Sequence, residues 1–149
     1  MADLLFYGDT ERSPAMRHEL PVPMVDPFLL AVVDGRMHVV VSGIERGRVA
    51  AAAPDAVLHD IADLGFRELL ESGMSFREID LELTSRAVAA IGIGKAVADP
   101  EMPVAVADRL RADGVVLHPD HAVVARRRRR PVWRPPPDCW LRRCPTATV

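Results

Sequence analysis

Short apolar runs bounded by glycine, proline or aspartate alternate along this chain with longer stretches whose apolar residues recur at helical spacing. Leu4 to Tyr7 form an apolar and aromatic run closed by Gly8 and Asp9, which predicts a buried strand. Residues 10–27 contain Pro14, Pro21, Pro23 and Pro27, which leaves room only for a turn of helix around 15–18 within a surface loop. Residues 28–33 and 37–41 flank Asp34-Gly35, a pair that tolerates positive φ at both turn positions. That chemistry predicts an antiparallel hairpin.

Beyond the hairpin the period changes. Ser42 is placed to cap a helix over 44–53 that stops at Pro54, and residues 56–59 predict a further strand. A helix is expected over 60–71 through Leu64, Phe66, Leu69 and Leu70, with Gly73 past its end. Ser75-Phe-Arg-Glu78 is a capping box that opens the longest helix, in which Ile79, Leu83, Val88 and Ile91 share a face until Gly92 and Gly94 end it. A strand at 95–98, a helix at 104–112 behind Pro103, a strand at 115–118 and a last helix from about Asp120 complete the order. Strand, hairpin, then helix and strand in alternation predict an α/β fold with a mixed sheet of about five or six strands.

Charge divides the 149 residues in two. Residues 1–125 carry 11 Lys+Arg against 20 Asp+Glu, a net charge of -9, whereas residues 126–149 carry 8 Arg against Asp138 alone, a net charge of +7. The second segment also holds Trp133, Trp140, Cys139 and Cys144 among closely spaced prolines, with no strand or helix period. It is expected to be an unstructured tail. Two cysteines so close to one end give no disulfide framework. Neither a secretory leader nor a membrane-spanning run is recognised, so a cytoplasmic protein with no membrane partner is expected.

Several segments together carry a family resemblance. Tyr7-Gly-Asp-Thr-Glu-Arg-Ser13, Arg17-His-Glu-Leu-Pro21, Asp26-Pro-Phe-Leu29, the hairpin at Asp34-Gly35, Glu78-Ile-Asp-Leu-Glu82 and Ala107-Asp-Arg-Leu-Arg-Ala-Asp-Gly114 resemble the N-terminal domain of creatinase/prolidase/aminopeptidase P (Xaa-Pro peptidase) proteins. The resemblance covers residues 1 to about 129. It implies a three-layer α/β domain with a mixed sheet, non-catalytic in itself, that helps to form oligomers and to shape the substrate entrance. In complete relatives a following pita-bread domain binds two divalent metal ions through Asp, Asp, His, Glu and Glu. Here the connecting helix instead meets Pro131, and a frameshift or truncation near Arg130 is the expectation that follows. No catalytic residue, metal ligand or cofactor is assigned to this chain, and no peptidase activity is expected from it alone. A homodimer or a separate catalytic chain is the expected partner.

Arg12, Arg17 and His18 in the proline-rich loop are the substrate-entrance candidates, set against the plainer reading of a surface loop pinned by hydrogen bonds. Other groupings have simpler structural readings. His118-Pro-Asp-His121 resembles a metal pair but reads as a capped turn. Gly92-Ile-Gly94-Lys95 resembles a phosphate loop, yet a helix precedes it and a strand follows, which reverses the order that a phosphate loop requires. Ser13 and Ser42 lack the elbow of a serine nucleophile. Arg126 to Arg130 with Trp133 and Trp140 could contact nucleic acid, but an arginine run is more often a solvated face, and such binding is not expected to be specific.

Overall fold

The computed structural model describes residues 2–128. Six strands form one sheet in the order β4-β3-β2-β1-β5-β6. In chain order the elements are β1 (Leu4–Gly8), α1 (Pro14–Glu19), β2 (Phe28–Val33), β3 (Arg36–Val41), α2 (Gly43–Ala52), β4 (Val57–Asp60), α3 (Phe66–Glu71), α4 (Phe76–Ile91), β5 (Lys95–Ala98), α5 (Val104–Ala112), β6 (Val116–Pro119) and α6 (His121–Arg128). Strand β2 runs antiparallel to β1 and β3, while β1 with β5, β3 with β4, and β5 with β6 are parallel. This is the mixed α/β sheet expected from the sequence.

Alternation along each strand divides the core into two layers. Leu5, Leu29, Ala31, Val40, Ala96 and Leu117 face Ala87 and Val88 of α4 and Val106, Ala107 and Leu110 of α5. Leu4, Phe6, Phe28, Leu30, Val32, Val39 and Val41 face the other way, against Ala15 and Met16 of α1, Val49 of α2 and Val124 of α6. The arrangement follows from chain handedness. The crossover β3-α2-β4 moves toward one edge of the sheet and β5-α5-β6 toward the other, so two crossovers of the same hand must place their helices on opposite faces.

The local signals with the tightest geometric demands hold. Asp34 and Gly35 sit at φ 50° and 79°, the mirror-image turn that joins β2 to β3 without splaying them. At the start of α4 the Ser75 side chain accepts from Glu78 N at 3.3 Å while Glu78 Oε2 accepts from Ser75 N at 2.8 Å, a reciprocal capping box. Gly92 ends that helix at φ 85°.

Three expectations need correction. The helix foreseen from residue 60 begins only at Phe66, because Asp60 Oδ1 accepts from Ala62 N at 3.0 Å and its carbonyl from Asp63 N at 3.0 Å. A short acidic side chain thereby offers the backbone a turn in place of a helix. The turn closes on Gly65 at φ 89°, where a Cβ would collide with the Arg86 guanidinium that bonds Leu64 O at 3.0 Å. Ser42 does stand at the N-cap of α2, but its side chain makes no capping hydrogen bond. Strands β4 and β6 each begin one residue later than the apolar runs suggest, and Pro119 closes β6 opposite Ala98 at the sheet edge, where no donor is needed.

Helices α4 and α5 are joined by charge as well as packing. Arg109 donates to Glu82 at 2.7 Å and to Asp113 at 3.1 Å, Arg86 donates to Glu82 at 3.0 Å, and Ser85 donates to Asp113 at 2.6 Å. These bonds hold the carboxyls of Glu82 and Asp113 below their ordinary range. The tail expected from 126–149 lies outside the described residues from 129 onward, while α6 itself continues through Arg126 to Arg128.

Candidate functional site

The loop after β1 is built by its own side chains. Asp9 Oδ1 accepts from Glu11 N at 3.0 Å and from Arg12 N at 2.7 Å, which turns the chain out of the sheet. Thr10 donates its hydroxyl to Val22 O at 2.6 Å and accepts from Met24 N at 2.8 Å, clamping the return segment. Ser13 caps α1 by accepting from Met16 N at 3.3 Å. The motif from Tyr7 to Ser13 is thus a self-supporting turn in which Asp9, Thr10 and Ser13 are all buried.

The three entrance candidates do not converge. Arg17 reaches back along this loop, donating from Nε to Thr10 O at 2.8 Å and from Nη2 to Glu11 O. Arg12 points into solvent, with 90% of its side chain exposed and its guanidinium 3.9 Å from Asp9. His18 is half-buried, and its Nε2 is enclosed without a hydrogen-bond partner. Arg17 and His18 line a broad hollow of about 1130 Å³ beside the β2-β3 turn, together with Asp34, Arg36 and Asp55, and Arg12 is not part of it.

A narrower cleft of about 430 Å³ opens at the carboxyl ends of β1, β3 and β4. Tyr7, Asp26, Ser42, Glu45, Asp80 and Thr84 line it, with Phe66 and Phe76. Burial pushes the Tyr7 hydroxyl up to about 12, with the charge of Asp80 adding to the rise and its bond with Thr84 opposing it. Burial, then the charge of Asp26, lifts the Asp80 carboxyl above its ordinary value. Glu45 Oε2 is 2.6 Å from Arg48 Nη2, so its charge is paired at the rim. Ile44 and Phe76 in the lining, and Val25 between the lining residues Met24 and Asp26, are 90%, 74% and 67% exposed and form an apolar rim.

One pair of residues was not legible in the sequence. His38 on β3 and His59 on β4 stack with ring centroids 5.3 Å apart and planes 18° apart, and His38 Nδ1 lies 3.0 Å from His59 Nε2. They are 21 residues apart in the chain and meet only through the parallel register that sets His59 opposite Val40. Burial lowers both rings below the ordinary value of 6.5, and for His38 the neighbouring His59 and Arg36 lower it further. A histidine whose folded pKa lies below its unfolded value contributes stability above the unfolded pKa and loses it as pH falls through the folded one. Resistance to urea is therefore expected to fall as pH drops below about 6.5, and His59→Asn should flatten that fall. An unchanged slope in the variant would remove the pair as its source.

The remaining groupings take their structural readings. Asp120 Oδ1 accepts from Val123 N at 3.0 Å and caps α6, with His118 and His121 both exposed. Lys95 is exposed at the start of β5 and Gly92 is a helix C-cap. No three His, Cys, Asp or Glu side chains come together among the described residues. None of the described helices is long and apolar enough to cross a membrane.

The fold and these sites define a three-layer α/β domain with an open cleft at the carboxyl ends of its parallel strands. Among solved structures it is similar to an Xaa-Pro dipeptidase from Bacillus anthracis, with a TM-score of 0.56 and 10% identity over 84% of this chain and 30% of that one. A proline dipeptidase from Streptococcus agalactiae 2603V also matches, with a TM-score of 0.49 and 12% identity over 83% of this chain and 85% of that one. No family model and no curated protein matches. The likeness to the Bacillus anthracis protein is one of fold, and the chain spans 30% of that protein's length.

Proposed function

We propose that this chain is the non-catalytic N-terminal domain of an Xaa-Pro aminopeptidase- or dipeptidase-like metallohydrolase, with a role in oligomerisation and in shaping the substrate entrance. The observation that carries this reading is the fold likeness to an Xaa-Pro dipeptidase, which takes in 84% of this chain but 30% of that protein. The loop from Tyr7 to Ser13 and the α4-α5 ion network support it from within, since the segments that bear the family resemblance are those that hold the domain together.

Two divalent ions, as in complete relatives, would need several carboxylates and a histidine converging from separate strands. The described residues bring no such group together and do not fit a metal pair of that kind. Arg17 and His18 at the hollow, with Arg12 on the loop above, are the residues we assign to the entrance. A partner is either a second copy or a separate catalytic chain.

Incubation with an Xaa-Pro dipeptide and manganese is expected to give no turnover, and light scattering is expected to find a dimer or, with a catalytic chain added, a complex. Chelator-sensitive turnover by the chain alone would overturn the non-catalytic assignment. The exposed apolar rim formed by Ile44, Phe76 and Val25 favours a second reading, a stand-alone interaction module, which the same scattering experiment addresses.

A further inference from the structure

We infer that the cleft at the carboxyl ends of β1, β3 and β4 binds a small organic monocation, an ammonium group carried on an apolar body. Topology puts a crevice there. Strand β3 leads into α2 on one face of the sheet, and β4 leads through α3 into α4 on the other. Helices that depart to opposite faces leave an opening outside the strand ends, which is where open α/β sheets bind their ligands. Its volume of about 430 Å³ suits a small organic molecule.

The lining suits apolar bulk and positive charge together. Leu29, Val40 and Leu83 contribute buried apolar surface to it. Among its described residues Asp26, Glu45 and Asp80 are acidic and none is basic. Glu45 is paired with Arg48 and, in the first turn of α2, offsets the positive end of that helix. Asp26 and Asp80 have no basic partner among the described residues.

Burial, then the charge of Asp26, raises the Asp80 carboxyl, so the two carboxylates repel each other across the empty cleft. A bound cation relieves that repulsion. Phe66 and Phe76 add aromatic rings, which attract organic cations. No three His, Cys, Asp or Glu side chains converge among the described residues, so a bare metal ion would lack ligands here. The site is independent of the entrance assignment, because Arg17 and His18 lie beside the β2-β3 turn, at the opposite end of those strands.

The full chain is titrated with phenylbutylammonium chloride, with neutral phenylbutanol and with sodium phenylbutyrate, which share one apolar body and differ in charge. Tyr7 is the only tyrosine in the chain, so its ring proton resonances report on the cleft without any substitution. The ammonium is expected to shift them saturably and to bind roughly tenfold more tightly than the alcohol, with phenylbutyrate the weakest. Asp26→Asn combined with Asp80→Asn, both at exposed positions, should erase that preference. Asp108→Asn combined with Glu71→Gln removes the same charge outside the lining and should retain it. An absent or unsaturable shift, no preference for the ammonium, or equal losses in the two paired variants would each overturn the site. Tyr7 resonances that move on dilution of the free chain would give the cleft to a second copy instead, and contacts between Tyr7 and a tryptophan ring would give it to the chain's own basic segment.

Discussion

Replacing Arg127 with alanine is expected to destabilise the domain by about 3 kcal/mol, read as a lowered urea midpoint at unchanged slope. Arg127 Nε donates to Glu19 Oε1 at 2.5 Å, and the Glu19 side chain is only 2% exposed. Its other oxygen, Oε2, is enclosed without a partner, so loss of Arg127 would leave an entire carboxylate buried and unpaired. The cost of breaking such a pair from one side lies mainly in that stranded charge. Glu19→Leu introduced together with Arg127→Ala should therefore recover most of the loss, and a double-mutant cycle measures the recovery. A change below about 0.5 kcal/mol for Arg127→Ala would show that the pair does not hold α6 to α1.

Phe6→Ala is the second large effect, expected at about 3 to 5 kcal/mol. Phe6 lies on β1, which is flanked on both sides within the sheet, and it is 1% exposed beneath α1. Its ring fills the core layer shared with Met16, Leu30 and Val39, so its loss leaves a cavity between the sheet and α1. Ile44→Ser, at 90% exposure, provides the contrast and should alter stability by no more than about 0.5 kcal/mol. Equal midpoints for the two variants would mean that the core is not where the packing places it.

How far the sequence could be read depended on whether a feature was local. Asp34-Gly35 demanded a mirror-image turn, and Ser75 with Glu78 demanded a helix start, because each is a constraint among residues a few positions apart. The apolar runs marked all six strands, and their alternation with helical periods was enough to place the class. The start of α3 was missed because helix propensity over 60–65 competes with a turn made by the Asp60 side chain, and propensity gives no measure of that contest. Ser42 was found in the right position but assigned a bond that its side chain does not make.

The site residues were harder to read for a different reason. Arg17 was legible as a polar residue in an ordered loop, yet its partners, the carbonyls of Thr10 and Glu11, depend on how the loop folds back. His38 and His59 stand in unrelated local patterns and meet only when β3 and β4 are in register. Arg127 belongs by composition to the basic segment, and only tertiary structure reveals Glu19 as its partner. Composition placed the division of charge, but packing continues across it.

The pairing of β1 with β5 has a consequence for how the domain assembles. Strand β1 meets β2 over five residue pairs but meets β5 over only two, Leu4 with Val97 and Leu5 with Ala98. The first three strands are neighbours in sequence and can zip together by short loop closures, whereas the seam with β5 joins positions more than ninety residues apart. The topology therefore favours a folding order in which the three-stranded meander condenses early and the β5-α5-β6 unit is expected to dock onto its free flank later.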